Sequence, residues 1–107
     1  MARASTTSDA FNAIAEPRRR RILEFIAGDE RSVTDIADAL ELGQPSVSKH
    51  LHVLRDVGLV SVRRHGRRAM YRIDPETLRT IHDWSGMFAP YWRGQLRRIK
   101  AHAEEGR

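Results

Sequence analysis

The chain has no cysteine among its 107 residues. This absence excludes a disulfide framework, a thiolate metal site and a thiol redox switch. No apolar stretch approaches the roughly 20 residues that a membrane-spanning helix needs. The first residues also lack the apolar core of a signal peptide. We therefore expect a cytoplasmic protein with no membrane partner, and the sequence indicates no cofactor.

Acidic residues are nearly missing from the 30-residue segment 43–72. This segment has seven lysines and arginines and one aspartate, whereas residues 1–42 have six basic and eight acidic side chains. Residues 73–107 are almost balanced, with six basic and five acidic side chains. The net charge of +5 is thus concentrated in one segment, which is typical of a phosphate-binding surface. Charge alone would equally fit RNA or an acidic lipid surface.

The length fits one domain with a modest core, so dimerisation would help to stabilise it. Hydrophobic residues make up 40% of the chain and charged residues 31%, which is typical of globular proteins. We predict a disordered tail over residues 1–8 and a single folded domain over residues 9–104.

The segment from Gln44 to Gly58 is predicted to be the central helix. Pro45 suits a first helical position, which places Gln44 at the N-cap, and Gly58 suits a left-handed stop. Apolar residues recur every three or four positions along one side, and the other side is small, polar and cationic. A helix that enters a DNA major groove needs short donors and positive charge at its leading end. An ordinary surface helix with a solvated polar face is the alternative.

Shorter helices are predicted before this segment. Ser8 and Asp9 can cap a first helix, and Pro17 can open a second helix, whose first turn contains the basic run 18–21. That run has two interpretations, a solvated face or a set of phosphate contacts. Residues 32–35 resemble a capping box at the start of a third helix. The short glycine-containing turn between the third helix and the central helix predicts a helix-turn-helix.

A β-hairpin is predicted after Gly58, where the apolar period changes from about 3.6 residues to 2. Runs of β-branched and aromatic residues flank the polar segment 63–68, which contains Gly66. Four arginines and one histidine make the tip of this hairpin a basic wing. We predict that the wing contacts phosphate, and the same residue types suit arginine entry into a minor groove.

The remaining segment is predicted to form one long helix from Pro75 to about residue 104, kinked at Pro90. Apolar residues recur along it in two seams with a spacing of seven residues. These seams make the helix too apolar for a lone surface helix. We interpret the seams as part core and part subunit interface. With two residues of the first helix, the predicted interface consists of Phe11, Ile14, Leu78, Ile81, Trp84, Phe88, Trp92, Leu96 and Ile99.

The order of these elements resembles the ArsR/SmtB family of bacterial winged-helix repressors over about residues 10–104. The motifs behind the resemblance are IAEPRRRRIL at 14–23, QPSVSKHL at 44–51, LRDVGLV at 54–60 and GRRAMY at 66–71. The resemblance implies a mainly α (α+β) winged helix-turn-helix, with a two-stranded hairpin wing and with dimerisation helices at both ends. It also implies a homodimer that binds a pseudo-palindromic promoter operator in double-stranded DNA.

The resemblance further implies which side chains face bases or nearby phosphates. They are Gln44, Ser46, Ser48 and Lys49 at the leading end of the central helix, with Arg67 and Arg68 in the wing. Together with the polar and basic side chains beside them, the predicted DNA-binding set is Gln44, Ser46, Ser48, Lys49, His50, His52, Arg55, Arg63, Arg64, His65, Arg67 and Arg68.

Metal sensing is a competing hypothesis. Many members of the family bind metal through cysteines in the third helix, and residues 33–38 contain none. Another family pattern on the last helix is only half present, so we predict no metal site of either kind. An unfamiliar inter-subunit site remains an alternative, in which His82 and Asp83 of one subunit meet His102 and Glu105 of the other.

Two further classes of function compete with DNA binding, an enzyme and a module that docks protein or RNA. The chain has no nucleophile–base constellation and no glycine-rich phosphate loop, so we predict that it is not an enzyme. A winged-helix module that docks protein or RNA stays open as an alternative. Competition between a defined duplex and random DNA or RNA would separate it from a sequence-specific DNA-binding protein.

Overall fold

The computed structural model describes residues 7–105, which form six helices and three strands. In chain order the elements are α1 (Thr7–Ile14), α2 (Pro17–Ile26), β1 (Arg31–Ser32), α3 (Val33–Leu40), α4 (Gln44–Asp56), β2 (Val60–His65), β3 (Arg68–Ile73), α5 (Pro75–Gly86) and α6 (Ala89–Glu105). Helix α1 starts two residues before the predicted domain boundary, so Ser8 and Asp9 lie within its first turn and do not precede it. The tail prediction for residues 1–6 lies outside the described residues.

The core lies between helices α1–α4 and the inner end of the sheet. The apolar stripe that predicted α4 is buried against the other helices, since Val47, Leu51 and Leu54 have no exposed surface. The other large side chains that are fully buried are Ile22, Ile26, Ile36 and Leu59. The predicted helix-turn-helix is confirmed as α3 and α4, and the predicted hairpin as β2 and β3.

The wing belongs to a larger sheet than the sequence predicted. The antiparallel sheet has the strand order β1–β3–β2, and Arg31 of β1 pairs with Tyr71. The predicted two-stranded wing is present as β2 and β3, whereas the pairing of β1 with it was not predicted. A strand of two residues has too few side chains to show a period of two, so its pairing depends on β3.

A tight turn closes the wing. His65 pairs with Arg68, so the turn has only Gly66 and Arg67 as its central residues. Gly66 has a φ of 63°, which suits the first central position of a type II′ turn. This turn matches the twist of the flanking strands and brings the basic residues together at the tip.

The turn of the helix-turn-helix differs in detail from the prediction. Helix α3 ends at Leu40, and its C-cap is Glu41, whose φ of 56° is left-handed and disfavoured for an L residue by about 1–2 kcal/mol. Gly43 has extended backbone angles and is the N-cap of α4, which begins at Gln44. The prediction that Gln44 is the N-cap is wrong by one residue. Proline fits one position later because the first helical N–H groups have no intrahelical partner.

Helix α4 ends in a Schellman motif at Gly58, as the sequence predicted. The N–H of Gly58 donates to the carbonyl of Arg55 at 3.0 Å, and the N–H of Leu59 donates to Leu54 at 2.9 Å. Gly58 has a φ of 82°, and a Cβ there would lie 3.0 Å from Oγ1 of Thr77. The motif leads the chain directly into β2 and so links the orientation of α4 to that of the wing.

The predicted long C-terminal helix is wrong as a single element. It consists of α5 and α6, which are separated by a turn at residues 87–88. Pro90 has no N–H to donate to the carbonyl of Gly86, and its ring would clash with that carbonyl in a continuous helix. Short-range bonds occupy the turn, with the N–H of Phe88 donating to Ser85 at 3.0 Å and that of Tyr91 to Phe88 at 2.9 Å.

Helices α5 and α6 contain no buried residue. Helix α5 packs mainly on α1, and α6 makes few contacts with the rest of the described chain. The radius of gyration of 17.4 Å exceeds the roughly 13 Å expected of a compact chain of this length. Within residues 7–105, no helix is long and apolar enough to cross a bilayer.

Candidate nucleic-acid interface

The outward face of α4 is polar, and five of its side chains have no partner within the described chain. At about 100° per residue, Gln44, Ser48, His52 and Arg55 share one side of the helix, which borders the buried stripe, and Lys49 lies next to His52. All five side chains are exposed. None of them makes a hydrogen bond or an ion pair with another residue of the range 7–105. Their donors and charges are therefore available to an external ligand.

Two residues of the predicted DNA-binding set lie on another flank of α4. Ser46 and His50 are half-buried there, and Nδ1 of His50 lies 3.5 Å from Nη1 of Arg19 on α2. Burial lowers the pKa of His50, and the positive charge of Arg19 lowers it further. A neutral His50 fits this contact, because its unprotonated Nδ1 can accept from the guanidinium. The structure thus places His50 in the contact between α2 and α4.

Arg63 of the wing is bound within the molecule. Its Nε donates to the two carboxylate oxygens of Glu30 at 2.9 and 2.6 Å, and its Nη2 donates to Oε1 at 2.6 Å. The hydrogen bond from Arg63 lowers the pKa of Glu30, and the same pairing raises the pKa of Arg63. The guanidinium of Arg63 therefore already has a partner within the protein, and its predicted contact with DNA stays a prediction.

Arg68 is also bound by other side chains of the same subunit. Its Nη2 donates to Oγ of Ser32 at 2.6 Å and to Oδ1 of Asp35 at 3.3 Å. Ser32 and Asp35 form the predicted capping box of α3, in which Oγ of Ser32 accepts from the N–H of Asp35 at 3.2 Å. The pKa of Asp35 is lowered chiefly by the backbone N–H and hydroxyl of Ser32, with a further contribution from Arg68. Arg68 therefore connects the wing to the first helix of the helix-turn-helix.

The remaining basic side chains of the wing tip are exposed. Arg64, His65 and Arg67 make no hydrogen bond or ion pair with any other residue that the structure describes. Arg64 is paired with Ala69, whereas Arg63 is paired with Met70, and successive side chains of a strand point to opposite faces. The wing therefore has bound arginines on one face and an unpaired arginine on the other.

The basic run of α2 has a third role that neither interpretation predicted. Nε of Arg19 donates to the carbonyl of Ala13 at 2.6 Å, and Nη1 of Arg20 donates to that of Ile14 at 2.7 Å, both in the last turn of α1. Nη2 of Arg21 donates to the last carbonyl of α3 at 3.2 Å. The final carbonyls of a helix lack intrahelical donors and favour cations. The run thus caps the C-terminal ends of two neighbouring helices.

Comparisons with known sequences identify the family. Residues 16–62, from the start of α2 to β2, match the bacterial regulatory protein arsR family. The transcriptional repressor SdpR of Bacillus subtilis is 31% identical over 77 residues, which are 72% of this chain and 86% of that protein. This chain belongs to the arsR family.

Other relatives are longer than the matched region. A probable mercury resistance operon repressor of Streptomyces lividans is 41% identical over 71 residues, which are 65% of this chain but only 57% of that protein. The arsenic resistance transcriptional regulator ArsR1 of Pseudomonas putida is 40% identical over 67 residues, or 52% of its own length. The chain thus spans little more than half of these two relatives. The family consists of transcriptional regulators.

Solved structures of the arsR family share the fold. A homodimeric winged helix-turn-helix DNA-binding domain from Mycobacterium bovis superposes with a TM-score of 0.66 at 33% identity, over 75% of each chain. An ArsR-like transcriptional regulator from Rhodococcus sp. RHA1 gives a TM-score of 0.70 at 26% identity, over 88% of this chain and 89% of that one. The winged helix-turn-helix fold predicted from the sequence is confirmed.

This arsR-family chain also has an exposed apolar surface at its C-terminal end. We define the C-terminal apolar surface as the exposed side chains of Leu78, Trp84, Met87, Phe88, Tyr91, Trp92, Leu96 and Ile99. Tyr91 is 73% exposed, and Leu96 and Ile99 are more than 60% exposed. Single exposed apolar residues are normal, but a large exposed apolar group is typical of an interaction site.

The predicted interface set divides into two parts. Phe11, Ile14 and Ile81 are half-buried in this arsR-family subunit, and Ile14 and Ile81 pack against its core. The other six predicted residues belong to the C-terminal apolar surface. Edge-to-face stacking connects the two parts, because the ring of Trp84 lies 5.0 Å from those of both Phe11 and Phe88. Met87 was missed because it lies in the turn, where helical spacing does not apply.

Within the described part of one subunit, no arrangement of side chains supports the hypothesis of metal sensing. Among residues 7–105, no group of three or more histidine, aspartate, glutamate or cysteine side chains is arranged to hold a metal ion. His82 lies 3.4 Å from Oδ1 of Asp83, and both side chains are exposed. The hypothetical site would need His102 of a second subunit, so it stays a hypothesis.

Proposed function

We propose that this chain is a transcriptional repressor that binds a pseudo-palindromic promoter operator as a homodimer. The observation that supports DNA binding most directly is that five exposed polar side chains of α4, those of Gln44, Ser48, Lys49, His52 and Arg55, have no partner within the described chain. In a winged helix-turn-helix, the second helix of the motif is the one that enters the major groove. The proposal also places the protein in the cytoplasm, where a bacterial promoter is accessible.

In this proposal the two parts of the interface have different tasks. Gln44 and Ser48 read base edges, because their short polar side chains lie near the N-terminal end of α4. Lys49, His52 and Arg55 lie further along or beside this face and contact phosphates, which position the helix without reading sequence. Ser46 lies on the half-buried flank, so we assign it at most a phosphate contact at the edge of the groove.

The wing supplies further phosphate contacts. We assign them to Arg64, His65 and Arg67, whose side chains are exposed and have no partner within residues 7–105. Arg63 and Arg68 are already paired with protein groups, so their role is to hold the wing. Per subunit, the unpaired lysine and arginine side chains of the interface are Lys49, Arg55, Arg64 and Arg67.

Homodimerisation would cover the C-terminal apolar surface. A single recognition helix reads too few base pairs for operator affinity, and two-fold symmetric proteins read half-sites about 34–36 Å apart. The related domain from Mycobacterium bovis is described as homodimeric, which supports the same assembly here. We therefore propose that α5 and α6, together with α1, form the dimer interface and set the half-site spacing.

The proposal that the protein represses transcription, and does not activate it, is based on its relatives. SdpR is a transcriptional repressor, and the related protein of Streptomyces lividans is a probable operon repressor. We propose the same outcome by promoter occlusion, in which the bound dimer competes with polymerase for the same DNA. The residues of the interface account for binding and not for its regulatory consequence.

Selection of bound duplexes from a random pool tests this function directly. The enriched duplexes should contain two inverted half-sites whose centres lie about one helical turn apart or a multiple of it. Neutralisation of about 6–8 phosphates by a dimer predicts a log–log salt slope of about −5 to −7. A slope near zero would remove phosphate binding, and enrichment of single-stranded RNA over every duplex would favour the RNA-docking alternative.

A further inference from the structure

We infer that Glu30 is a positioning residue for DNA binding, which holds the wing through Arg63 so that the unpaired arginines of the tip face the DNA backbone. The inference rests on the proposed function, since it assigns a role within the proposed DNA interface. It concerns an acidic side chain next to a surface that should bind phosphate, where its charge by itself would weaken binding.

The geometry of the Glu30–Arg63 pair is specific. Three N–H···O contacts of 2.6 to 2.9 Å join the guanidinium to both carboxylate oxygens. Such a bidentate arrangement fixes the relative orientation of its two planar groups, which one point-charge contact does not. The Glu30 side chain is only 23% exposed, whereas that of Arg63 is 48% exposed. The carboxylate is thus more covered than the guanidinium, and the pair connects strand β2 of the wing to the residue that precedes β1.

A second contact holds the same face of the wing. Arg63 is paired with Met70 and His65 with Arg68, so Arg63 and Arg68 project from one face of the β2–β3 ribbon. Arg68 reaches the capping box of α3 through Ser32 and Asp35. Both anchors therefore connect the wing to residues that immediately precede or begin the helix-turn-helix. The wing and α3 are joined as one body on that face.

The opposite face and the turn contain the cations without partners. Arg64 projects from the other face of β2, and Arg67 lies in the two-residue turn. A two-stranded ribbon has little stability by itself, so without an anchor it would present these side chains in many orientations. An exposed ion pair contributes little to folding stability, which leaves orientation as the main effect of this pair.

If Glu30 acts only through its negative charge, Glu30→Gln should strengthen binding to the selected duplex. If Glu30 positions the wing, the same substitution should weaken it. The substitution removes a negative charge and releases the Arg63 guanidinium, so electrostatics alone predicts tighter binding to every duplex. Positioning predicts that the duplex selected by the wild-type protein binds several-fold more weakly, while a random duplex of equal length binds as well as before or better. The ratio of the two affinities is therefore the decisive measurement.

A matched control is available at Glu24. It is exposed on α2 and has no ion pair or hydrogen bond within residues 7–105, so Glu24→Gln makes the same charge change without releasing an arginine. We expect it to leave the ratio of the two affinities unchanged. Asp35 is less suitable for this test, because its substitution would also remove the cap of α3.

A charge exchange separates positioning from direct contact by Arg63. The double variant Glu30→Arg with Arg63→Glu keeps the net charge and allows the ion pair to form in reverse. We expect it to recover most of the selectivity lost in Glu30→Gln. If the double variant binds the selected duplex as weakly as Arg63→Glu alone, Arg63 itself contacts DNA and the inference is wrong. Equal tightening of both duplexes by Glu30→Gln would overturn it as well.

One readout needs no DNA. Backbone NMR relaxation of residues 64–67 in the free protein should show larger motion in Glu30→Gln than in the wild-type protein or in Glu24→Gln, at an unchanged unfolding temperature. Unchanged motion would overturn the inference even if the protein binds DNA as proposed. Conversely, a wild-type protein that binds no duplex would refute the proposed function while the effect on wing motion could still be measured.

Discussion

The first two thirds of this chain and its last third use apolar residues in opposite ways. Within the described residues, every buried hydrophobic side chain lies between Ala10 and Val60. Helices α5 and α6 bury none, and together with the turn between them they expose two tryptophans and six other large apolar side chains. The helix-turn-helix and the inner end of the wing therefore form a core within one subunit, whereas the C-terminal helices present an exposed apolar surface, which we propose is covered by a second subunit.

The basic residues show a similar division. The arginines that the structure binds internally join elements of the domain: Arg19, Arg20 and Arg21 cap helix ends, and Arg63 and Arg68 hold the wing. Within the basic segment 43–72, the lysine and arginine side chains without such partners lie on α4 and at the wing tip. Local charge density in the sequence therefore overstates the number of cations that are available to DNA.

We expect the largest loss of operator affinity from substitutions in the C-terminal apolar surface. Trp92→Glu combined with Leu96→Glu places two charges on the C-terminal apolar surface, so the subunits should separate. The helix-turn-helix should stay folded, because its core contains neither residue. Loss of the linked second half-site should weaken operator binding by about 10²–10⁴-fold. Sedimentation, circular dichroism and operator titration measure these three quantities.

Gln95→Glu is the matched control for this variant, because it adds a negative charge on α6 without removing an apolar side chain. It should stay dimeric and bind the operator nearly as well as the wild-type protein. A doubly substituted protein that remains dimeric would move the interface elsewhere. A monomer that still binds tightly would contradict reading of two half-sites.

The wing tip should give the next largest effect. Arg64→Gln with Arg67→Gln removes four guanidinium groups from a dimer, and each lost phosphate contact should reduce the salt slope by about 0.9. We expect operator and random duplexes to be weakened alike, with a slope that is smaller by about 3–4. Arg97→Gln with Arg98→Gln removes the same charge from α6 and should leave the slope nearly unchanged. Equal slopes for the two double variants would refute wing contact with phosphate.

A smaller effect is expected where α4 reads bases. Ser48→Ala should weaken binding to the selected duplex by about 1–3 kcal/mol and leave a random duplex nearly unchanged. Ser46→Ala removes the same hydroxyl from the half-buried flank and should have less effect on this difference. Competition titrations with the two duplexes measure it. If Ser48→Ala costs the same affinity on both, Ser48 does not read sequence.

The smallest effect concerns pH and the contact between α2 and α4. Burial and Arg19 hold the pKa of His50 below the ordinary value of 6.5, so the unfolded chain binds more protons as pH falls through that value. The contribution of His50 to stability is therefore present above about pH 6.5 and is lost as pH falls through the folded pKa. His50→Gln should reduce the drop in unfolding temperature between pH 7.5 and 5.

NMR titration of the His50 ring gives a direct check. Its midpoint should lie below 6.5 in the wild-type protein and should rise in Arg19→Gln, which removes the neighbouring positive charge but not the burial. A wild-type midpoint at or above 6.5 would contradict the burial of this ring against α2.

The sequence by itself determined the elements that depend on local chemistry. The apolar stripe of α4, the Schellman glycine at Gly58, the capping box at Ser32 and the hairpin around Gly66 each follow from residues close together in the chain, and all four are present. The order of these elements resembles that of the ArsR/SmtB family, and this resemblance predicted the winged helix-turn-helix. Pro90 also indicated a disturbance of the last helix, although not that it would divide the helix in two.

Only the tertiary structure decided which charged and apolar side chains have partners. Arg63 lies 33 positions from Glu30 in sequence, and Arg68 lies 36 positions from Ser32, so no local pattern could reveal that these groups bind each other. The two-residue strand β1 and the half-burial of His50 likewise depend on segments that meet only in the folded chain. Sequence spacing determines the face of an element on which a residue lies, whereas packing determines what that face meets.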